Sequence, residues 1–157
     1  NNTIFWCGNG GSASQSEHLS AELVGRFKKI RKPINSISLT ANPTYLTCVS
    51  NDFEFKDIFS RQLEAHGKKN DLLIVFSTSG KSKNIIEVLK MAKKKKITSV
   101  GFLGNSGGDA KKLCDFDITI PSSSTARIQE LHLLIGHVIC EFVDFKKTIT
   151  KIVKKNN

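Results

Sequence analysis

His18, Glu22 and Arg26 follow one another at intervals of four, which on a helix sets an imidazole, a carboxylate and a guanidinium in one row, a turn apart. The plain alternative is a solvated helix face with an incidental Glu22 to Arg26 ion pair, worth tenths of a kcal/mol. Gln129, Leu133 and His137 repeat the interval near the other end of the chain, with Glu130 and His132 on neighbouring flanks. Residues eight apart on a helix drift by only about 80°, so Gln129 and His137 can face one cleft. The apolar residues Leu131, Leu134, Ile135, Val138 and Ile139 predict that this helix is largely buried. A lone histidine there is ordinarily a satisfied core residue. Two such helices meeting would gather His18, Glu22, Gln129 and His137 into an N₂O₂ set suited to a borderline cation such as zinc, although Gln is an uncommon zinc ligand.

A third segment, LLIVFSTSGKS from Leu72 to Ser82, breaks from an apolar run into a hydroxyl-rich turn that opens a helix. That turn aims backbone N–H groups and the hydroxyls of Ser77, Thr78, Ser79 and Ser82 at one spot beside a helix N-terminus, where partial positive charge favours a phosphate. The Walker spacing GxxxxGK[ST] is absent. The turn therefore points to a phosphorylated small molecule and disfavours nucleotide hydrolysis.

The elements that must position these groups are legible in short apolar runs. Ile4 to Cys7, Ile37 to Leu39, Leu72 to Phe76, Ser99 to Leu103 and Phe116 to Ile120 are each bounded by Gly, Ser, Asn or Asp and read as buried parallel strands. Helical stretches over Ser14 to Phe27, Phe55 to Ala65, Ser82 to Lys95 and Ala126 to Phe145 alternate with them. The order predicts an α/β fold, a doubly wound (flavodoxin-like) five-stranded parallel sheet with helices on both faces. Ligands bind such sheets outside the carboxyl ends of the strands. Three turns fall there: GNGGS at Gly8 to Ser12, STSGKS at Ser77 to Ser82, and GNSGG at Gly104 to Gly108. One glycine turn says little, because tight βα connections need Gly for backbone reasons alone, whereas three at one edge say more.

A chain of 157 residues fits a single domain spanning 1–157 that buries a core without staples. The first strand begins almost at residue 1, so an N-terminal helical segment is expected to be missing. The formal charge of +10 does not by itself announce nucleic acid. Much of it sits in Lys93 to Lys96 and in a C-terminal run ending Lys151, Lys154 and Lys155, and no basic and aromatic residues interleave to stack bases. Attraction of an anionic substrate is the better reading of that charge. Cys7, Cys48, Cys114 and Cys140 lie far apart and form no CxxC pair, which argues against a zinc ribbon or a redox pair. With no leader-like segment and no apolar stretch near the roughly 20 residues of a membrane span, the expected address is the cytoplasm.

The strings GNGGSASQSEHLSAELVGRF, SNDFEFKDIFSRQLEAHG, STSGKS and STARIQELHLLIGHVICE closely resemble the sedoheptulose 7-phosphate isomerases, or phosphoheptose isomerases, of the sugar isomerase (SIS) domain superfamily. The resemblance runs from Phe5 to about Asp144. STSGxS marks any SIS domain, whereas HxxxExxxR after GNGGS together with RIQExHxxxxxH is far more specific. The resemblance implies that Asn9, Gly10, Gly11, Ser12, Asn51 and Asp52 contact the sugar phosphate and that Ser77, Thr78, Ser79 and Ser82 hold its phosphate. It implies zinc on His18, Glu22, Gln129 and His137, with Gln129 shared between substrate and metal, and Glu22 and His137 as the catalytic proton-transfer pair. It further implies a homotetramer whose active sites draw on more than one subunit. Ala126 stands where some members carry Asp.

The implied reaction is aldose–ketose isomerisation of D-sedoheptulose 7-phosphate to D-glycero-D-manno-heptose 7-phosphate through an enediol, opening the synthesis of activated heptose for lipopolysaccharide, capsule or surface-layer glycans. Alternatives stay open within the superfamily. A non-catalytic relative binds the bacterial replication initiator and lacks the proton-transfer residues, other SIS modules sense a sugar phosphate, and others isomerise amino-sugar phosphates.

Overall fold

Residues Leu72–Ser77 (β3) are almost continuously apolar, as a strand must be when helices cover both of its faces. In the computed structural model, which describes residues 2–155 with the side chains of 146–155 excepted, β3 is the centre of a five-stranded sheet. The other strands are β1 (Ile4–Cys7), β2 (Ser36–Ser38), β4 (Thr98–Gly104) and β5 (Phe116–Ile120), in the order β2-β1-β3-β4-β5. Every pairing is parallel. This is the doubly wound, flavodoxin-like arrangement that the alternation of runs predicts, with its strand order reversing between β1 and β3.

Successive side chains on a strand point to opposite faces, which divides the core in two. Phe5, Cys7, Leu73 and Val75 point to one side and pack with Val49, Leu63, Ile85, Val88 and Leu89. These come from α2 (Pro43–Asp52), α3 (Ser60–His66) and α4 (Lys83–Lys95). Trp6, Ile74, Phe76 and Phe102 point to the other side, against Leu19 and Leu23 of α1 (Gly11–Val24) and Cys140 of α6 (Thr125–Lys155). The Trp6 and Phe76 rings stack with centroids 6.1 Å apart, and Phe76 meets Phe102 at 4.8 Å. A short helix, α5 (Gly108–Lys111), completes the order.

The first and last long helices therefore share one face of the sheet, where the two histidine-bearing patterns can meet. Gly136 of α6 sets how close they come, because a Cβ there would fall 2.4 Å from Leu19 Cδ1. Leu19 is fully buried in the core on that face.

Several boundaries differ from the sequence reading. α1 begins a turn earlier and stops at Val24, so Arg26 lies beyond it. The stretch from Phe55 splits into a 3₁₀ turn (Phe55–Asp57) and α3, changing phase just ahead of the buried pair Ile58 and Phe59. α2 was not anticipated at all. It buries only Val49 and so shows no apolar stripe, although Asn42 caps it by accepting from the Tyr45 N–H at 3.0 Å and Pro43 follows as the first helical residue. The α6 backbone continues through Lys155, while the Lys151, Lys154 and Lys155 side chains lie outside the described residues. α6 is also less buried than its composition predicts. Leu131, Leu134, Val138, Phe142 and Phe145 line up at intervals of three and four and are all exposed. Among the described residues no helix is long and apolar enough to cross a membrane.

Candidate active site

At the reversal between β1 and β3, a cavity of about 340 Å³ opens beyond the carboxyl ends of the strands. Its walls are Asn9, Gly10, Gly11 and Ser12 from the first turn, Phe76, Ser77, Thr78 and Ser82 from the second, and Thr125 and Gln129 from α6. The N-termini of α1 and α4 both open at these two turns, and neither has a side-chain cap or an acidic residue in its first turn. Two positive helix ends without a competing carboxylate make a binding place for an anion.

The STSGKS turn is braced from two directions. Asn9 and Asn84 exchange reciprocal amide hydrogen bonds of 2.9 and 2.8 Å across the β1/β3 junction, and Asn84 is buried. Behind the turn, Gly80 packs backbone to backbone on the GNSGG loop: its carbonyl accepts from the Ala110 N–H at 3.0 Å, and a Cβ at Gly80 would lie 1.9 Å from the Gly107 oxygen. The third glycine turn is thus a buttress and not part of the cavity wall. Within the turn, Ser77 Oγ accepts the Gly80 N–H at 3.0 Å and Ser79 Oγ accepts the Lys81 N–H at 3.2 Å. Ser79 is exposed and does not line the cavity.

Farther along α1 the two histidine-bearing helices meet. His18 Nε2 lies 2.9 Å from His137 Nε2 and 3.6 Å from Glu22 Oε1. Single donor atoms of the three residues all fall within 4.8 Å of one another. Two ligands on a tetrahedral zinc at about 2.0–2.1 Å stand about 3.3 Å apart, a value that the 2.9 and 3.6 Å separations from His18 bracket, so the donor types and these two spacings suit the ion. Seven residues separate Gly11 from His18, which at 1.5 Å per residue puts this cluster about 10 Å along the helix from the cavity. Gln129 belongs to the cavity end. A Cβ on Gly11 would fall 2.7 Å from its side-chain oxygen, and among the described residues it makes no hydrogen bond to the cluster. Gln15 holds it from below by donating to the Gln129 carbonyl at 2.5 Å.

The Glu22 to Arg26 pair is not formed among the described residues, because α1 ends first. Phe27, from the loop that follows, stacks on the His137 ring at 5.5 Å and 19°. The guanidinium that does reach Glu22 is that of Arg31, whose Nη2 donates to the Glu22 carbonyl and Nη1 to the Leu23 carbonyl, both at 2.7 Å. Its Nε donates to Asp144 Oδ1 at 2.7 Å, and Asp144 Oδ2 accepts the Lys28 and Lys29 N–H groups at 2.9 and 3.0 Å. Burial pushes the Asp144 carboxyl up, but the Arg31 hydrogen bond and the two backbone N–H groups outweigh it and hold the group below the usual carboxylate range. His132 is wholly buried between Phe76 and Phe102, with Nε2 3.0 Å from the Leu103 carbonyl. It is core and not part of the cluster.

Asn51 and Asp52 end α2, exposed and bonded to each other at 2.8 Å, and they do not line the cavity of their own chain. Thr125, Phe27, Asn84 and Arg31 were not picked out from sequence. Asn84 lies in the first turn of α4 beside the STSGKS turn, which is a local signal, whereas Arg31 meets a residue 113 positions away and has none.

The SIS domain family model matches residues 1–104. The phosphoheptose isomerase of Clostridium acetobutylicum is 49% identical over 141 residues, covering 90% of this chain and 72% of that protein. That of Campylobacter jejuni is also 49% identical over 141 residues, covering 90% and 76%. The solved structure of phosphoheptose isomerase from Neisseria gonorrhoeae superposes with a TM-score of 0.86 at 36% identity, covering 91% of this chain and 76% of that one.

Proposed function

Since the chain belongs to the SIS-domain family and, within it, to the phosphoheptose isomerases, we propose that it interconverts sedoheptulose 7-phosphate and D-glycero-D-manno-heptose 7-phosphate, the entry step to activated heptose. The observation that carries the chemistry is the meeting of Glu22 and His137 with His18 where α1 and α6 converge. The cavity at the two helix N-termini takes the phosphate, with Ser77, Thr78 and Ser82 donating to it and Asn9, Gly10, Gly11 and Ser12 facing the sugar. The distance of about 10 Å from cavity to cluster suits an extended seven-carbon chain with the phosphate at its far end.

Glu22 is the base in this reading. It takes the proton from the carbon beside the carbonyl and returns it to the neighbouring carbon of the cis-enediol, while His137 exchanges protons with the carbonyl and hydroxyl oxygens. Binding energy from the phosphate aligns the reacting carbons against Glu22. His18, Glu22 and His137 are the residues that would hold zinc. Gln129 is proposed as the contact shared by substrate and metal, which requires its amide to leave its place over Gly11. Zinc, when bound, supplies a Lewis acid for the substrate oxygens.

Two observations support a homotetramer with shared sites. The apolar stripe of α6 is exposed along its length, and Asn51 and Asp52 are exposed and do not line the cavity of their own chain, which leaves them available to a neighbour. Four free cysteines suit a reducing cytoplasm. The test is incubation with sedoheptulose 7-phosphate, with and without a chelator, followed by detection of the aldose. Product that disappears with chelation is expected, and unphosphorylated sedoheptulose should turn over poorly. Binding of the sugar phosphate with no aldose formed would reduce the chain to a sensor.

A further inference from the structure

Arg31 and Asp144 form an ion pair that is almost completely removed from water, with side chains 4% and 2% exposed. A buried pair of this kind costs desolvation that its attraction does not reliably recover, and two apolar residues often do as well for stability. What this pair holds is therefore informative. Arg31 grips the carbonyls of Glu22 and Leu23 at the end of α1, so one of its hydrogen bonds ends on the backbone of the proposed base itself. Asp144 sits on α6 two turns beyond His137 and receives the Arg31 Nε together with the Lys28 and Lys29 N–H groups. Those two N–H groups directly follow Phe27, whose ring lies on His137. Five hydrogen bonds thus tie the end of α1, the loop after it and α6 into one unit around the His18, Glu22 and His137 cluster.

We propose that the buried Arg31–Asp144 pair is a positioning device for the isomerisation, fixing the Glu22 backbone and the Phe27 ring relative to His137 while touching neither substrate nor metal. The inference rests on the isomerase reading of the site. The phosphate grip lies at the opposite end of α1, so damage to the pair acts on turnover and on metal affinity, not on capture of the phosphate.

The experiment compares wild type with Arg31→Met, Arg31→Lys, Asp144→Asn and the double replacement Arg31→Met with Asp144→Leu. It measures kcat and KM for sedoheptulose 7-phosphate, the thermal midpoint, and Zn²⁺ affinity by competition with a chromophoric chelator. Misplacing a reacting group by about 1 Å can cost roughly 100-fold in rate, and loss of groups that orient metal ligands typically costs about 10- to 100-fold in metal affinity. Expected are kcat reduced at least about tenfold with KM changed less than about threefold, and Zn²⁺ bound at least about tenfold more weakly. Arg31→Lys, which keeps the charge but not the fork, should recover only part of the rate. The double variant, freed of buried charge, should regain its thermal midpoint and remain slow. A double variant that is both stable and fully active with wild-type Zn²⁺ affinity would overturn the proposal, and so would failure of every variant to fold, which would make the pair a folding determinant only. If wild type made no aldose, the isomerase reading would fail instead, and the Zn²⁺ titrations would still judge the clamp.

Discussion

At the scale of single residues, Glu22 in the cluster and His132 in the core each carry a prediction. Glu22→Gln keeps shape and hydrogen bonding but cannot accept the proton from carbon. It should lower kcat by about 10² to 10⁴-fold while KM for the 7-phosphate moves little, and wild-type turnover in that variant would remove Glu22 from the role of base. His132 makes a different prediction. Burial pushes its pKa down, with the Leu103 carbonyl opposing, so the folded chain binds fewer protons there than the unfolded chain, whose histidines titrate near about 6.5. Stability accordingly rises with pH from the depressed folded value up to about 6.5 and is lost as pH falls through that window. His132→Gln keeps an N–H for the Leu103 carbonyl and does not titrate. Urea midpoints at about pH 5 and about pH 7.5 should differ less in this variant than in wild type, and equal differences would show that His132 is not the group responsible.

The elements explain why some of these residues were legible and others were not. His18 with Glu22 and Gln129 with His137 could be read because the i, i+4 interval is a local property of a helix, and both stretches are helical. The same rule does not extend to Arg26, since α1 ends at Val24. The five strands were legible from apolar runs that a doubly covered sheet demands, whereas α2 buries one side chain and hides its signal in a cap. How closely α1 and α6 approach was not legible at all, because it depends on Gly136 meeting Leu19 across the fold. Gly136→Val forces a branched side chain into that contact. Overpacking of this kind costs about 1–3 kcal/mol, and it should pry His137 from His18, lowering kcat and Zn²⁺ affinity together. A variant with lowered thermal midpoint but unchanged kcat would show that the helix separation is not what sets the cluster. Gly80→Ala acts at the other end: a Cβ there strikes the Gly107 carbonyl, and φ is +64°. Its expected signature is a raised KM for the phosphorylated sugar.

At the scale of the whole molecule, the sheet order places the STSGKS turn and the GNGGS turn side by side at the β1/β3 reversal, and the shared face of α1 and α6 places the His18, Glu22 and His137 cluster about 10 Å along α1 from them. Both arrangements lie within one chain, whereas the proposed assembly would use two of its surfaces. Leu131, Leu134, Val138, Phe142 and Phe145 form one exposed stripe along α6, and a continuous apolar patch of this sort marks an interaction surface. α6 also carries His137, so a partner seated on the stripe would press on the helix that presents the proposed acid. In the proposed assembly a second copy of the chain would cover this stripe and would receive the exposed Asn51 and Asp52. Replacing Leu134 and Val138 together by Asp puts two charges into the stripe without touching the Gly136 contact or the cluster. Sedimentation velocity should then show the wild-type assembly falling to smaller species, and if neighbouring subunits lend Asn51 and Asp52 to the cavity, turnover should fall with it while the far-ultraviolet circular dichroism stays that of a folded chain. Recovery of activity at high protein concentration would tie the loss to dissociation, and a wild-type chain that sediments as an active monomer would exclude the shared site.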